Sequence, residues 1–167
     1  MIEKLIISTP YLPMKLISNG TGLISCEFLY STSFHSENRE LFSKMDQLTS
    51  DEILNKASSQ LKEYFLGKRE NFDIPLILNG TEFQQNVWRV LCDIQYGKTL
   101  TYKEIAQKAE SPNAFRAAGG ACRKNSFAVI IPCHRVLSTN GKLTGYAGSN
   151  TFMKDYLLNF EKRGASL

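Results

Sequence analysis

Residues 101–125 read TYKEIAQKAESPNAFRAAGGACRKN, and their reading decides the second half of the chain. Thr101 and Glu104 have the spacing of a capping box, in which hydroxyl and carboxylate satisfy backbone N–H groups across the first helical turn. Ile105 and Ala109 then share one face, which predicts a short helix. Ser111-Pro112-Asn113 predicts a turn, with the proline at the first position of a second helix, where its missing N–H costs nothing. That second helix carries Ala117, Ala118, Gly119, Gly120 and Ala121 in a row, with Arg116 before them and Arg123 and Lys124 after. Two short helices joined by a tight turn predict a helix-turn-helix, an outline shared with many helix pairs that bind no nucleic acid.

Downstream, the apolar run FAVIIP (127–132) delivers Cys133 and His134, and Arg135 follows. A cysteine is a nucleophile only as its thiolate, so it needs a positive charge, a base or a helix N-terminus nearby. His134 is a candidate base. Adjacent side chains in an extended segment point to opposite faces, so direct contact is not expected, whereas a water relay or a sharp turn would couple the two. A nucleophile, a metal ligand pair and a buried turn all remain open at this level. The glycine-rich loop GKLTGYAGSN follows. TFMKDYLLNFEKRG then predicts an amphipathic helix with Met153, Tyr156, Leu157 and Phe160 inward and Gly164 at its end.

Upstream, Thr81 and Gln84 form another capping box ahead of Phe83, Val87, Trp88, Leu91 and Ile94, a core-facing stripe. Residues 67–80 form the linker. Before it, Thr49 and Glu52 predict a cap for a helix with Ile53, Ala57, Leu61 and Phe65 inward, stopped by Gly67. LIIS, MKLIS and LISCEFLYS predict strands around a hairpin turn at Asn19-Gly20. The fold class is therefore α+β: a small N-terminal domain, 1–75, with an antiparallel sheet and a helix, then a mainly helical C-terminal domain, 76–167, with the helix-turn-helix.

Charge divides along the same line. Residues 1–80 hold 8 Lys/Arg against 10 Asp/Glu, and residues 81–167 hold 12 against 6. A basic second half favours a polyanion, nucleic acid first, and is equally compatible with a solvated basic face. No apolar run reaches the roughly 20 residues of a membrane helix, and the start of the chain is a poor signal peptide. Cys26, Cys92, Cys122 and Cys133 show no paired spacing, so free thiols in a cytoplasmic protein are expected. With only His35 and His134 in the chain, no metal site and no cofactor are expected.

The residues from Gly80 to Glu161 resemble the O6-alkylguanine-DNA alkyltransferases, also called methylated-DNA–protein-cysteine methyltransferases. The matching segments are GTEFQQNVW (80–88), YGKTLTYKEIA (96–106), RAAGGACRKN (116–125), IIPCHRV (130–136), GYAG (145–148) and LLNFE (157–161). The resemblance implies single-turnover transfer of an alkyl group from O6-alkylguanine in duplex DNA to Cys133, with O4-alkylthymine as a second candidate substrate. It makes His134 and Glu161 the activators, with a water between His134 and the thiol, and Asn125 the brace of the turn. It puts the small-residue helix in the minor groove, through Ala117, Gly119, Gly120 and Ala121, with Arg116 filling the gap left by the extruded nucleotide. Tyr102 becomes a proton donor to the leaving base. Thr101, Lys103, Arg123 and Lys124 become DNA contacts, and Tyr146, Ala147, Gly148, Val136 and Cys122 line the base pocket. The expected partner is double-stranded DNA, bound by a monomer and not by a membrane protein. Ser126 stands where the family has proline, and the loop after Gly148 is about one residue longer.

Three rivals have other expectations. A module that recognises alkylated DNA without repairing it lacks the acceptor cysteine, which this chain has. A cysteine hydrolase needs an oxyanion hole, for which there is no obvious motif. A regulator reading the major groove needs a stable recognition helix, and Gly119 and Gly120 weaken one.

Overall fold

Short apolar runs separated by a tight turn give the first sheet. In the structure, a computed structural model that describes residues 1–30, 43–143 and 151–164, β1 (Glu3–Ile7), β2 (Met14–Ser18) and β3 (Leu23–Phe28) form an antiparallel sheet in sequence order. The β2–β3 turn is where the Asn-Gly pair places it. Asn19 Oδ1 accepts from the backbone N–H groups of Thr21 and Gly22, and Gly20 sits at φ +85°, a region that favours glycine. Met14, Leu16 and Ser18 alternate inward along β2.

Helix α1 (Glu52–Phe65) packs on this sheet with Leu54, Ala57, Leu61, Tyr64 and Phe65 buried. Its cap differs from the expectation. Asp51, not Thr49, is the N-cap, and its carboxylate accepts from Leu54 N at 3.0 Å. Thr49 instead accepts from Asp51 N, so it orders the residue that caps. Ala57, Leu61 and Phe65 are buried as expected, whereas Ile53 is only partly covered and Leu54 is fully buried. Gly67, at φ +71°, ends the helix as its composition implied. Residues 75–77 then run beside β3, with Leu23 N donating to Pro75 O and Ile77 N donating to Leu23 O.

The described chain divides into two units, Met1–Leu78 and Asn79–Leu167. In the second, Thr81 and Gln84 close both halves of the capping box on α2 (Glu82–Cys92), whose Val87, Trp88 and Leu91 are buried. Thr101 and Glu104 do the same for α3 (Tyr102–Lys108). Helix α4 (Phe115–Arg123) begins later than the proline suggested. Ala114 is its N-cap, and Pro112 lies in the preceding turn, which Ala114 N closes on Ser111 O. Helices α2, α3 and α4 pack against one another. Trp88 Nε1 donates to the carbonyl of Ala121 at 2.9 Å and so pins α4 to α2.

Two strands of two residues each, β4 (Leu100–Thr101) and β5 (Val136–Leu137), pair in parallel and join the entry to α3 with the segment after Cys133. Helix α5 (Thr151–Gly164) buries a different face from the one its apolar residues predict. Met153 and Leu157 are inward as expected, but Tyr156 and Phe160 are partly exposed, while Lys154, Leu158 and Glu161 are buried. The reason is chemical: two charged side chains of α5 are drawn into a polar cluster around Cys133. Among the described residues, no helix is long and apolar enough to cross a membrane.

Candidate active site

Cys133 sits on a 3-10 turn, Cys133–Arg135, and not on an extended segment. The turn is fixed from both sides. Cys133 N donates to Ile131 O, and Arg135 N donates to Pro132 O. Asn125, just beyond the end of α4, braces it with one side-chain amide. Its Nδ2 donates to Ile131 O at 2.8 Å and to Cys133 Sγ at 3.1 Å, and its Oδ1 accepts from Phe127 N at 2.9 Å. These bonds hold a strained backbone, because Val129 in the same loop is at φ +72°, costly for a β-branched residue. Ser126, where the family pattern has proline, leaves this bracing intact.

Cys133 is 5% exposed. Burial pushes its pKa up to about 11, against the downward pull of the Asn125 amide and the Lys154 ammonium. Raising the thiolate fraction therefore needs a base, and the turn supplies one.

His134 and Glu161 are both fully buried. His134 Nε2 lies 2.6 Å from Glu161 Oε1. The carboxylate also accepts from Arg135, Nε to Oε2 at 2.9 Å and Nη2 to Oε1 at 3.0 Å, and from Gly97 N at 3.1 Å. Burial alone would raise the Glu161 pKa, but the bonds to His134 and Arg135 outweigh it and hold the group well below the carboxylate range. An ionised carboxylate accepts only, so Nε2 carries the proton and Nδ1 is the basic nitrogen. Burial holds His134 below its ordinary value despite Glu161, with Arg135 and Lys154 adding to that push. The imidazole is thus neutral at rest and oriented by a carboxylate, the condition a general base requires.

Arg135 was named in the sequence only as a neighbour. It is 4% exposed, donates through Nη1 to Ile94 O, and stacks its guanidinium 5.7 Å from the Tyr96 ring centroid. It neutralises Glu161 and ties the turn to the end of α2. Lys154 was not singled out at all. It is 1% exposed, with Nζ 3.4 Å from the Tyr102 hydroxyl. Lys154 carries no local signal, since a lysine in an amphipathic helix reads as solvated, whereas Arg135 lies inside the IIPCHRV segment without a role assigned to it.

The helix expected to meet a nucleic acid divides into two faces. Phe115, Arg116 and Ala117 are exposed, and no atom lies within 4 Å of the position a Cβ on Gly120 would take. A Cβ on Gly119 would meet the Tyr102 ring at 3.7 Å, an ordinary contact that puts this glycine beside that ring. Ala118, Ala121 and Cys122 face inward. Ala121 is thus a correction: counted as groove-facing, it is 2% exposed and packs against α2. Lys103, Arg123 and Lys124 are exposed, Thr101 is partly so and is committed to capping α3, and Val136 is buried. Tyr146, Ala147 and Gly148 lie outside the described residues, as does the loop that departs from the family pattern. A buried thiol, an oriented imidazole–carboxylate pair and a small-residue helix with Arg116, Arg123 and Lys124 exposed together define the chemistry of this site.

Comparison with known proteins gives the same assignment. The model of the 6-O-methylguanine DNA methyltransferase DNA binding domain matches residues 82–163, and that of the ribonuclease-like domain matches residues 2–78. The methylated-DNA–protein-cysteine methyltransferase of Methanosarcina barkeri is 43% identical over 157 residues, covering 94% of this chain and 95% of its own. That of Mycobacterium tuberculosis is 40% identical over 166 residues, covering 99% and 95%. The crystal structure of the Mycobacterium tuberculosis O6-methylguanine methyltransferase superposes with a TM-score of 0.82 at 37% identity, over 98% of this chain and 94% of that one. Its OGT in complex with DNA gives 0.81 at 38% identity, over 96% and 93%. The chain belongs to the 6-O-methylguanine DNA methyltransferase family.

Proposed function

We propose that this protein repairs DNA by taking the alkyl group of O6-alkylguanine onto Cys133, once per molecule. The observation that carries the reading is the chain of bonds from Asn125 to the Cys133 sulfur and, on the next residue, from His134 to Glu161. Nothing in a plain buried turn requires a histidine and a carboxylate to be paired in this way beside a thiol.

The thiol proton passes to His134, through a water, as Glu161 stabilises the imidazolium. The sulfur then bonds to the alkyl carbon, and the carbon–O6 bond breaks with its electrons going to guanine. Tyr102 gives a proton to the departing ring, which avoids expelling an anion. The product is a neutral thioether, which has no route back to the thiol, so turnover ends.

The O6 carbon is unreachable in a stacked base pair, so the nucleotide must rotate out. The exposed face of α4, with Ala117, Gly119 and Gly120, allows close approach to the narrow minor groove as the second helix of a helix-turn-helix. Arg116 fills the vacated position. Lys103, Arg123 and Lys124, with Thr101, contact phosphates. Val136 and Cys122, with Tyr146, Ala147 and Gly148, line the base pocket. The N-terminal domain, 1–75, supports the transfer domain, 76–167, in a cytoplasmic monomer.

The test is transfer of tritiated methyl from duplex O6-methylguanine to protein. Label is expected at one methyl per molecule and none on Cys133→Ser. Label on that variant, or many methyl groups removed per protein, would contradict the reading.

A further inference from the structure

A single exposed phenylalanine is ordinary, because more than half of a protein surface is apolar. Phe115, 46% exposed, is singled out by where it stands. It opens α4, the helix whose exposed face the alkyl-transfer reading lays against DNA. Among the exposed residues of that helix it is the one rigid, bulky side chain. Ala117 offers a methyl group, and Arg116 and Arg123 are long and flexible. Phe115 precedes Gly119 by one turn, so the two share a stripe of the helix. The Gly119 end of that stripe abuts the Tyr102 ring. Phe115 also has a partner. The Arg116 guanidinium lies 5.8 Å from the centroid of its ring, within cation–π range. The first turn of α4 holds no acidic residue, so on this helix the ring stands where a carboxylate would otherwise hold the arginine.

A minor groove about 6 Å wide leaves such a ring two fates. It enters the base stack, or it holds the helix off the groove floor. The pairing with Arg116 decides between them. Arg116 is the side chain that leaves water for the vacated position, and a guanidinium bound to a carboxylate would first have to break that pair. A guanidinium resting on a phenyl ring keeps its partner as it enters, and the ring gains by leaving water with it. We propose that Phe115 is a second wedge: its ring enters the minor groove beside Arg116 and stacks on the base pair flanking the extruded nucleotide, bracing the guanidinium in the vacated position. The inference rests on the alkyl-transfer reading and deepens it. Arg116 fills the gap, and Phe115 keeps the neighbouring step from closing over it.

Two readouts test the wedge, and the first needs no methyl transfer. A duplex carries 2-aminopurine beside O6-methylguanine, and its fluorescence rises when that step unstacks. At saturating protein the wild type should raise the signal, and Phe115→Ala should raise it less. The second readout is the single-turnover rate on duplex O6-methylguanine divided by the rate on free O6-benzylguanine, which has no stack to open. In Phe115→Ala that ratio should fall by between about fivefold and a hundredfold, the range that a lost base–aromatic stack supplies. Phe115→Leu, which keeps an apolar wedge, should lose less, and Phe115→Trp should keep the ratio. In an Arg116→Ala background, with no guanidinium to brace, Phe115→Ala should lower the ratio by a smaller factor. The thermal midpoint should hold in each variant, because the ring is already half in water. A Phe115→Ala ratio equal to or above the wild type would mark the ring as an obstruction and overturn the proposal. An undiminished fluorescence rise, or the same factor in both backgrounds, would overturn it as well. Failure of the wild-type protein to take methyl from duplex would sink the repair reading, and the fluorescence would still judge the wedge.

Discussion

The sheet of the N-terminal unit and the turn at Cys133 each bury a cysteine, and they treat it in opposite ways. Cys26 lies in β3 at 0% exposure, and burial with the nearby Glu27 charge drives its thiol far up. Cys26 is thus a small apolar side chain in a sheet core. Cys133 is as deeply placed, yet an amide and an ammonium pull against its burial. The charges differ too. Among the described residues, the first unit holds ion pairs at the surface, Lys56–Asp73, Lys62–Asp46 and Arg69–Glu63, where such pairs contribute roughly 0–1 kcal/mol. The second buries His134, Arg135 and Glu161 together. Replacing such a cluster with apolar residues often stabilises a protein, so its retention points to chemistry rather than folding.

The largest effect should come from exchanging the two cysteines' fates. Cys133→Ser removes all methyl acceptance, whereas Cys26→Ala leaves it intact and lowers only stability. Methyl acceptance by the first variant, or its loss in the second, would break the contrast. Next, Glu161→Ala leaves Arg135 buried without its carboxylate and should cost about 3–5 kcal/mol in denaturant unfolding. By contrast, Asp73→Ala in the surface pair Lys56–Asp73 should cost under about 1 kcal/mol. Similar costs at both sites would erase the distinction.

Arg116→Ala sharpens the comparison within the second unit. Extruding a base costs a few kcal/mol, so repair of duplex should fall by about tenfold or more while reaction with free O6-benzylguanine is unchanged. Equal losses on both substrates would remove Arg116 from extrusion.

Acid should expose the buried cluster as well. His134 and Glu161 both bind protons less readily folded than unfolded, so acidification favours the unfolded chain. The His134 contribution is complete above its ordinary value of 6.5 and is lost as the pH falls below it. The Glu161 contribution is complete above 4.5 and is lost at still lower pH. A thermal midpoint that falls through both windows is expected, with the lower limb flattened in Glu161→Gln. The smallest effect should be Trp88→Phe, which loses the bond to Ala121 O at a cost of about 1 kcal/mol or somewhat more.

Local rules made much of this legible. The boxes at Thr81–Gln84 and Thr101–Glu104, the Asn19-Gly20 turn and the Gly67 stop each depend on residues within one or two turns of chain. The same locality misled at α1, where Thr49–Glu52 and Asp51–Leu54 have equivalent spacing and only the tertiary contacts choose between them. The inward face of α5 was misread because apolar periodicity cannot anticipate a buried polar cluster. The bonds that define the site join residues far apart in sequence: Arg135 reaches Ile94 across 41 positions, and Tyr102 meets Lys154 across 52. Strands of two residues, such as β4 and β5, leave no period to read. Cys133, His134, Glu161 and Asn125 were accessible through the family motif, which stores long-range geometry that periodicity does not.

The most direct measurement is the intact mass of the protein, and of its Cys133 peptide, after incubation with duplex DNA holding a single O6-methylguanine. A gain of one methyl group, confined to that peptide and matched by an equal loss from DNA, is predicted. An unchanged mass, or a methyl group on Cys26, Cys92 or Cys122, would contradict the account.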